Sequence, residues 1–386
     1  YKYRVRSCQP YSCSNYSGYT TSANIIVANK PGVPSSISIP STNDSASFTI
    51  SWGASSGTVD KYQLYQQKNG GSWTNIYTGT ARSKSVSGLD DGTYKFQVRA
   101  YNSESSYTAY SGYRVSGSAI VANKPGTPGA VSIPNTSDNG SFTISWGAST
   151  GTVDSYQLYQ QKNGGSWVHI YTGTTRSKAV SGLTDGTYRF QVRAYNAESS
   201  FTAYSGYSIA NNSTVVANMP GTPGSITVPS SNNSGAFTVS WGVSSGTVDK
   251  YQLYQQKNGG DWVNIYTGTT TSKTLSGLID GTYKFRVRAN NSEGTYTVYS
   301  AYSTSSSVII ANSPGTPDSI SVPSTNDSGV FVVSWGASSG QVDSYQLYRK
   351  KDSGNWGLVY TGTALSANTG DLADGTYQFR VRAYNT

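Results

Sequence analysis

Hydrophobic and polar positions alternate most cleanly along Tyr94-Lys95-Phe96-Gln97-Val98-Arg99-Ala100. Tyr94, Phe96, Val98 and Ala100 fall on one side and Lys95, Gln97 and Arg99 on the other, the period of two expected of a half-buried antiparallel strand. The Asp91-Gly92 step before it marks a turn. Versions of residues 89–100 return at 183–194, 278–289 and 372–383, and a shortened one opens the chain. Tyr94, Tyr188, Tyr283 and Tyr377 lie 94, 95 and 94 residues apart, and Trp52, Trp146, Trp241 and Trp335 keep those intervals. Solenoid units run roughly 20–50 residues, so this longer period predicts whole domains in tandem.

Within one repeat the same reading predicts seven strands, at residues 36–39, 47–52, 62–67, 73–77 and 84–86, then the Tyr94 strand, then a last strand around 113–121. Asn69-Gly70-Gly71 is a strong hairpin signal between the third and fourth. Short strands at close spacing with no helical period predict an all-β chain of seven-stranded sandwiches. Complete repeats are expected at 31–124, 125–219 and 220–313, each opening with Pro-Gly-x-Pro. Residues 1–30 are read as the C-terminal strands of a domain whose front is missing, with strands at 1–6 and 19–27. Residues 314–386 are read as a domain lacking its last strand. The first residue falls in mid-strand, so the segment is expected to be an internal piece of a longer polypeptide.

A Trp ending the second strand, Tyr-x-Leu on the third and Leu-x-x-Gly-Thr-Tyr-x-Phe-x-Val-Arg-Ala on the sixth resemble the fibronectin type III fold. The resemblance implies a tyrosine corner at Tyr94 and core positions for Trp52, Tyr62, Leu64, Leu89, Phe96 and Val98. The Gly/Ser-rich flavour and the ending Val-Arg-Ala-x-Asn are similar to modules of large exported bacterial proteins. Those include secreted polysaccharide-degrading enzymes, surface adhesins and toxin-like surface proteins. No Arg-Gly-Asp triplet is present, so the integrin-binding role of some members is not carried over.

Composition supports a folded, turn-rich chain: 12% of residues are charged and 35% hydrophobic, with 42 Gly and 32 Tyr, and 13% aromatics supply cores. Apolar runs such as Val308-Ile309-Ile310 are too short to cross a bilayer, so no membrane insertion is expected in this segment. The net charge of +9 is spread over the repeats without a basic cluster, which argues against nucleic acid and fits acidic glycans or cell surfaces. Cys8 and Cys13 sit five residues apart at a hairpin end, where a disulfide is expected, two free thiols being the alternative; a bridge would favour an exported, extracellular or cell-surface protein.

Candidate chemistry is sparse. His169 is the sole histidine and is replaced by Asn75, Asn264 and Leu358 in other repeats, which points to a surface substitution. Asp91, Asp185, Asp280 and Asp374 precede Gly in turns, where a side-chain to backbone hydrogen bond accounts for them. Asp60, Asp154, Asp249 and Asp343 at strand starts read the same way, and residues 121–125 contain no acid, which argues against calcium-stiffened junctions. No catalytic residue, metal site or cofactor is expected. Binding candidates are the outward Tyr65 and Arg99, Tyr159 and Arg193, and Tyr254 and Arg288, with Trp73, Trp167, Trp262 and Trp356 as possible stacking platforms or covers for the edge of their own cores. Self-satisfied cross-strand pairs are the alternative reading of that face. As exposed groups, Tyr159 and Arg193 are expected to cost under about 0.5 kcal/mol on replacement by Ala. The expected function is a non-catalytic spacer, stalk or fibre whose partners are further copies of itself, or cell-surface or polysaccharide ligands. Accessory modules of a secreted polysaccharide hydrolase, or the repeat region of a toxin-like protein, are the alternatives.

Overall fold

The computed structural model describes residues 1–9 and 12–386, with side chains outside residues 9–16. Two compact units make up the chain. One comprises Tyr1–Asn135, Phe142–Val180 and Thr187–Thr214, the other Thr136–Ser141, Ser181–Gly186 and Val215–Thr386. All regular structure among the described residues is β, as the alternation predicts.

In the first unit, residues 31–124 form two facing sheets. Phe48–Trp52 pairs with Ile37–Ser38 on one side and Ser83–Val86 on the other. The second sheet is built on Gly92–Glu104, a strand of 13 residues flanked by Lys61–Lys68 and, near its start, by Ala119–Val121. Thr74–Gly79 extends that sheet beyond Lys61–Lys68, and Thr42–Asn43 runs parallel to Ala119–Val121. The inward halves of both sheets meet in a core of Ile50, Trp52, Tyr62, Leu64, Tyr94, Phe96 and Val98, all buried. Phe96 meets Phe48 edge to face at 5.7 Å, and Trp52 lies between Tyr62 and Tyr77 at 5.9 and 5.8 Å. The Tyr94 hydroxyl donates to the Asp90 carbonyl at 2.9 Å, closing the expected tyrosine corner.

Turn chemistry sets the register. Asn69 and Gly70 both have positive φ, 48° and 73°, the two-residue geometry that matches strand twist. Asn69 also accepts the Thr93 N–H through its side chain at 2.7 Å, tying this hairpin to the start of the long strand. In residues 125–219, Gly129 and Gly147 approach so closely that a Cβ on either would stand 2.8 Å from the other's Cα, which fixes both as Gly.

The last strand is not continuous. The single last strand expected at 113–121 is two short pieces, Arg114–Val115 and Ala119–Val121, preceded by a separate hairpin strand, Tyr107–Tyr110, that pairs with the end of Gly92–Glu104. The break follows from side-chain competition. Ser111 and Ser116 accept the Ala100 and Phe96 N–H groups at 2.8 and 2.9 Å, taking the place of backbone acceptors at those two points. Residues 1–30 are likewise less regular than expected: Arg4–Val5 pairs with Thr20–Thr21, and Cys8–Gln9 with Ser12–Tyr16. The expected Cys8–Cys13 bridge involves a side chain outside the described ones.

In the second unit, residues 220–313 repeat the two-sheet plan around Val239, Trp241, Tyr251, Leu253, Tyr283, Phe285 and Val287. Residues 314–386 build a smaller core on Val333, Trp335, Tyr345 and Leu347. Tyr377 and Phe379 are half-buried there.

Leu253 is fully buried among these residues. Leu253→Ala is expected to destabilise residues 220–313 by roughly 2–5 kcal/mol through lost burial and a residual cavity. Hydrogen exchange of the amides in that repeat reads the change, and unaltered protection would contradict the core assignment.

Candidate functional site

The outward face of the long strand is where the sequence places its binding candidates. Pairing of Lys61–Lys68 with Gly92–Glu104 sets Gln63 opposite Arg99 and Tyr65 opposite Gln97. Arg99 donates from Nε to Gln63 Oε1 at 2.9 Å and from Nη2 to the Tyr65 hydroxyl at 3.3 Å. Its guanidinium carbon stands 3.9 Å from the Tyr110 ring centroid and 5.1 Å from that of Tyr113. The alternation supplies Arg99, the neighbouring strand its acceptors, and the segment after the hairpin its rings. Ser111 holds that segment in place by accepting the Ala100 N–H.

The arrangement recurs. Arg193 bonds Gln157 and Tyr159 at 2.9 and 3.2 Å under Tyr204 at 3.9 Å. Arg288 bonds Gln252 and Tyr254 at 2.9 and 3.4 Å under Tyr299, again at 3.9 Å. Arg382 bonds Gln346 and Tyr348 at 2.8 and 2.9 Å. Each predicted Tyr–Arg pair is thus brought together and engaged with itself. The rings that complete each ladder, Tyr110 and Tyr113, Tyr204 and Tyr207, and Tyr299 and Tyr302, are absent from the expected set. Their signal was present as Tyr-Ser-x-Tyr at the repeat period. Burial raises the Tyr113, Tyr207 and Tyr302 hydroxyls above the ordinary phenol range, partly opposed by the nearby Arg charge. Burial also acts on Tyr254, but hydrogen bonding to Asn264 and the Arg288 charge outweigh it and leave that hydroxyl lowered.

The four tryptophans divide into two environments. Trp262 lies 4.5 Å from the guanidinium of Arg286, and Trp356 4.5 Å from that of Arg380. Trp73 and Trp167 are half-buried, and Gln97 and Gln191 hold the equivalent strand positions. His169 stacks near Tyr159 at 5.1 Å, and its Nε2 is 2.9 Å from Thr172 Oγ1.

A second constellation sits at the repeat junctions. Asp91 Oδ1 accepts the Asn123 backbone N–H at 2.7 Å, while Oδ2 accepts Asn196 Nδ2 from the following repeat at 3.0 Å. Asn196, 2% exposed, also donates to the Asn123 carbonyl at 2.9 Å. Asp185 repeats this with Asn218 and Asn291, at 2.7 and 3.0 Å, and Asp280 with Asn312 and Asn385, at 2.8 and 2.6 Å. Residues 121–125 hold no acid, but the chain fold carries the turn Asp to the junction. Each of these carboxylates faces N–H donors, and no group of three or more metal-ligating side chains occurs among the described residues. Asp60 and Asp249 stay local, accepting the Ser103 and Ser292 N–H groups at 2.6 and 2.8 Å.

Facing sandwich sheets, a tyrosine corner and a recurring junction define tandem antiparallel β-sandwich domains. The chain belongs to the fibronectin type III domain family, whose profile matches residues 32–113, 126–207 and 221–306. It is 25% identical over 413 aligned residues to Fibronectin type-III domain-containing protein 3A of Mus musculus, covering 99% of this chain and 33% of that protein. It is 32% identical over 184 residues to Chitinase A1 of Niallia circulans, covering 44% of this chain and 24% of that protein. The chain thus spans a third or less of the length of these relatives. A two-domain fibronectin type III segment from chicken tenascin aligns with 47% of this chain and 98% of its own length, at 17% identity and a TM-score of 0.33.

Arg193 is half-buried and held by two hydrogen bonds and two rings. The cost expected for an exposed group is therefore too small. Arg193→Ala is expected to destabilise its ladder by about 1–2 kcal/mol. Faster exchange of the Ala194 amide, with unchanged exchange in residues 220–313, checks this.

The junction carboxylates carry a pH dependence. Asp185 is pushed up by burial but held lower overall by the Asn218 backbone N–H and the Asn291 amide. Asp280 is lowered by the Asn312 backbone N–H and then by the Asn385 amide. A carboxyl depressed in the folded state contributes above its unfolded pKa, and that contribution is lost as pH falls through the folded value. The Asn218 and Asn312 amides are expected to stay protected at neutral pH and to lose protection on acidification below the ordinary carboxylate range. Protection that persists there would contradict the charge-assisted junction.

Proposed function

We propose that this chain is a non-catalytic spacer or stalk segment of an exported bacterial surface protein. The observation that carries this reading is the recurrence of one Asp–Asn clasp at successive junctions, at Asp91 with Asn196, Asp185 with Asn291 and Asp280 with Asn385. A clasp repeated with the same atoms serves a periodic array, since it restrains each repeat against the next without specialising any one of them. Membership of a family common in extracellular proteins supports the exported setting. The rigid Pro-Gly-x-Pro openings add to the restraint by fixing φ at each junction. Weak contacts repeated along such an array sum through avidity rather than through one strong site.

A second reading, accessory modules of a polysaccharide hydrolase, is favoured by the 32% identity to Chitinase A1, a protein named for acting on chitin. Sequence on either side of this segment separates the two, because an adjoining catalytic domain supports the accessory role. For the spacer, small-angle scattering of the whole chain is expected to give the profile of an elongated particle. Asn196→Ala with Asn291→Ala is expected to broaden its distance distribution. A compact particle indifferent to those substitutions would sink the reading.

A further inference from the structure

The long strand of residues 220–313 differs from its counterparts in one respect. Its outward positions Lys284, Arg286 and Arg288 are all cationic, whereas the matching sets are Lys95, Gln97 and Arg99, then Arg189, Gln191 and Arg193, then Gln378, Arg380 and Arg382. Side chains two apart on a strand stand about 7 Å from one another, so the three charges form a row about 13 Å long. Arg286 is sandwiched between the Trp262 ring at 4.5 Å and the Tyr302 ring at 4.2 Å, which cover its faces. Its Nε is buried with no hydrogen-bond acceptor, and neither Arg286 nor Arg288 is paired with a carboxylate among the described residues. Asp261, next to Trp262 in sequence, is exposed and makes no such pair.

A row of cations whose charge is met only by rings and neutral oxygens is complementary to an anion, and its flanking rings offer flat apolar faces. We propose that this face of residues 220–313 binds an acidic polysaccharide, with uronate-type carboxylates on the edges of Lys284, Arg286 and Arg288 and a sugar ring against the outer face of Trp262. Bases of a nucleic acid could also stack there, but the row is short and isolated, without the basic surround that tracks a phosphate backbone. The inference deepens the binding part of the proposed function. It can fail while the scattering result stands, and the reverse.

Calorimetric titration of the whole chain with a short oligogalacturonate tests it, with an uncharged oligosaccharide and a single-stranded oligonucleotide of equal charge as comparisons. The oligogalacturonate is expected to bind in a salt-sensitive manner and the uncharged sugar not to bind. Arg286→Gln restores the residue that the other repeats tolerate at Gln97 and Gln191, so the fold is retained, and it is expected to weaken binding about tenfold. Trp262→Ala is expected to weaken it by a similar factor, and Gln97→Arg to add a second site. Unchanged affinity in Arg286→Gln, equal binding of the uncharged sugar, or equal or tighter binding of the oligonucleotide would each overturn the proposal.

Discussion

Each complete repeat depends on one strand being two-faced along its whole length. Gly92–Glu104 gives Tyr94, Phe96 and Val98 to the core and Arg99 to the outer ladder, and its end supplies Asn102 to a junction. Because successive residues point to opposite sides, a slip of one position would turn every one of these groups to the wrong face. The strand is held against that slip at both ends. Asn69 binds the N–H of Thr93 at its start, and Asp60 binds that of Ser103 near its finish.

The two faces balance burial differently. Inside, apolar area leaves water. Outside, Arg99, Arg193 and Arg288 are only half-buried, and each loses part of its hydration in exchange for a carbonyl oxygen, a hydroxyl and aromatic faces. The exchange is neutral in charge, so the repeats keep a positive outer face without a buried ion pair and its desolvation cost. At Arg286 the compensation is incomplete, since its buried Nε meets no acceptor.

Much of this was legible in the sequence, and the rest was not for identifiable reasons. Alternation read the core directly, because Trp52, Leu64 and Phe96 follow the strand period. Alternation also puts Tyr65 and Arg99 on one face, but it carries no information on what lies beside them: Tyr113 falls at the start of the expected last strand, and Tyr110 outside every expected strand. Ser116 breaks the expected strand, and Ser111 sets off the hairpin strand before it, each by accepting a backbone N–H, a competition that strand propensity alone does not register. The junction was hidden for a topological reason. Asp91 and Asn196 are 105 positions apart, and only the fold brings a turn of one repeat against the strand end of the next. The motif Val-Arg-Ala-x-Asn recorded its Asn faithfully and gave no hint of its partner.

On this reading the Asp–Asn clasp couples neighbouring repeats mechanically. Nuclear spin relaxation of residues 31–124 and 125–219 within the whole chain measures this directly, through the rotational diffusion of each repeat. Coupled repeats are expected to report one shared, slow and anisotropic tumbling, which Asp91→Ala shifts toward faster, separate motion of the two. Separate, fast tumbling already present in the unaltered chain would contradict the account.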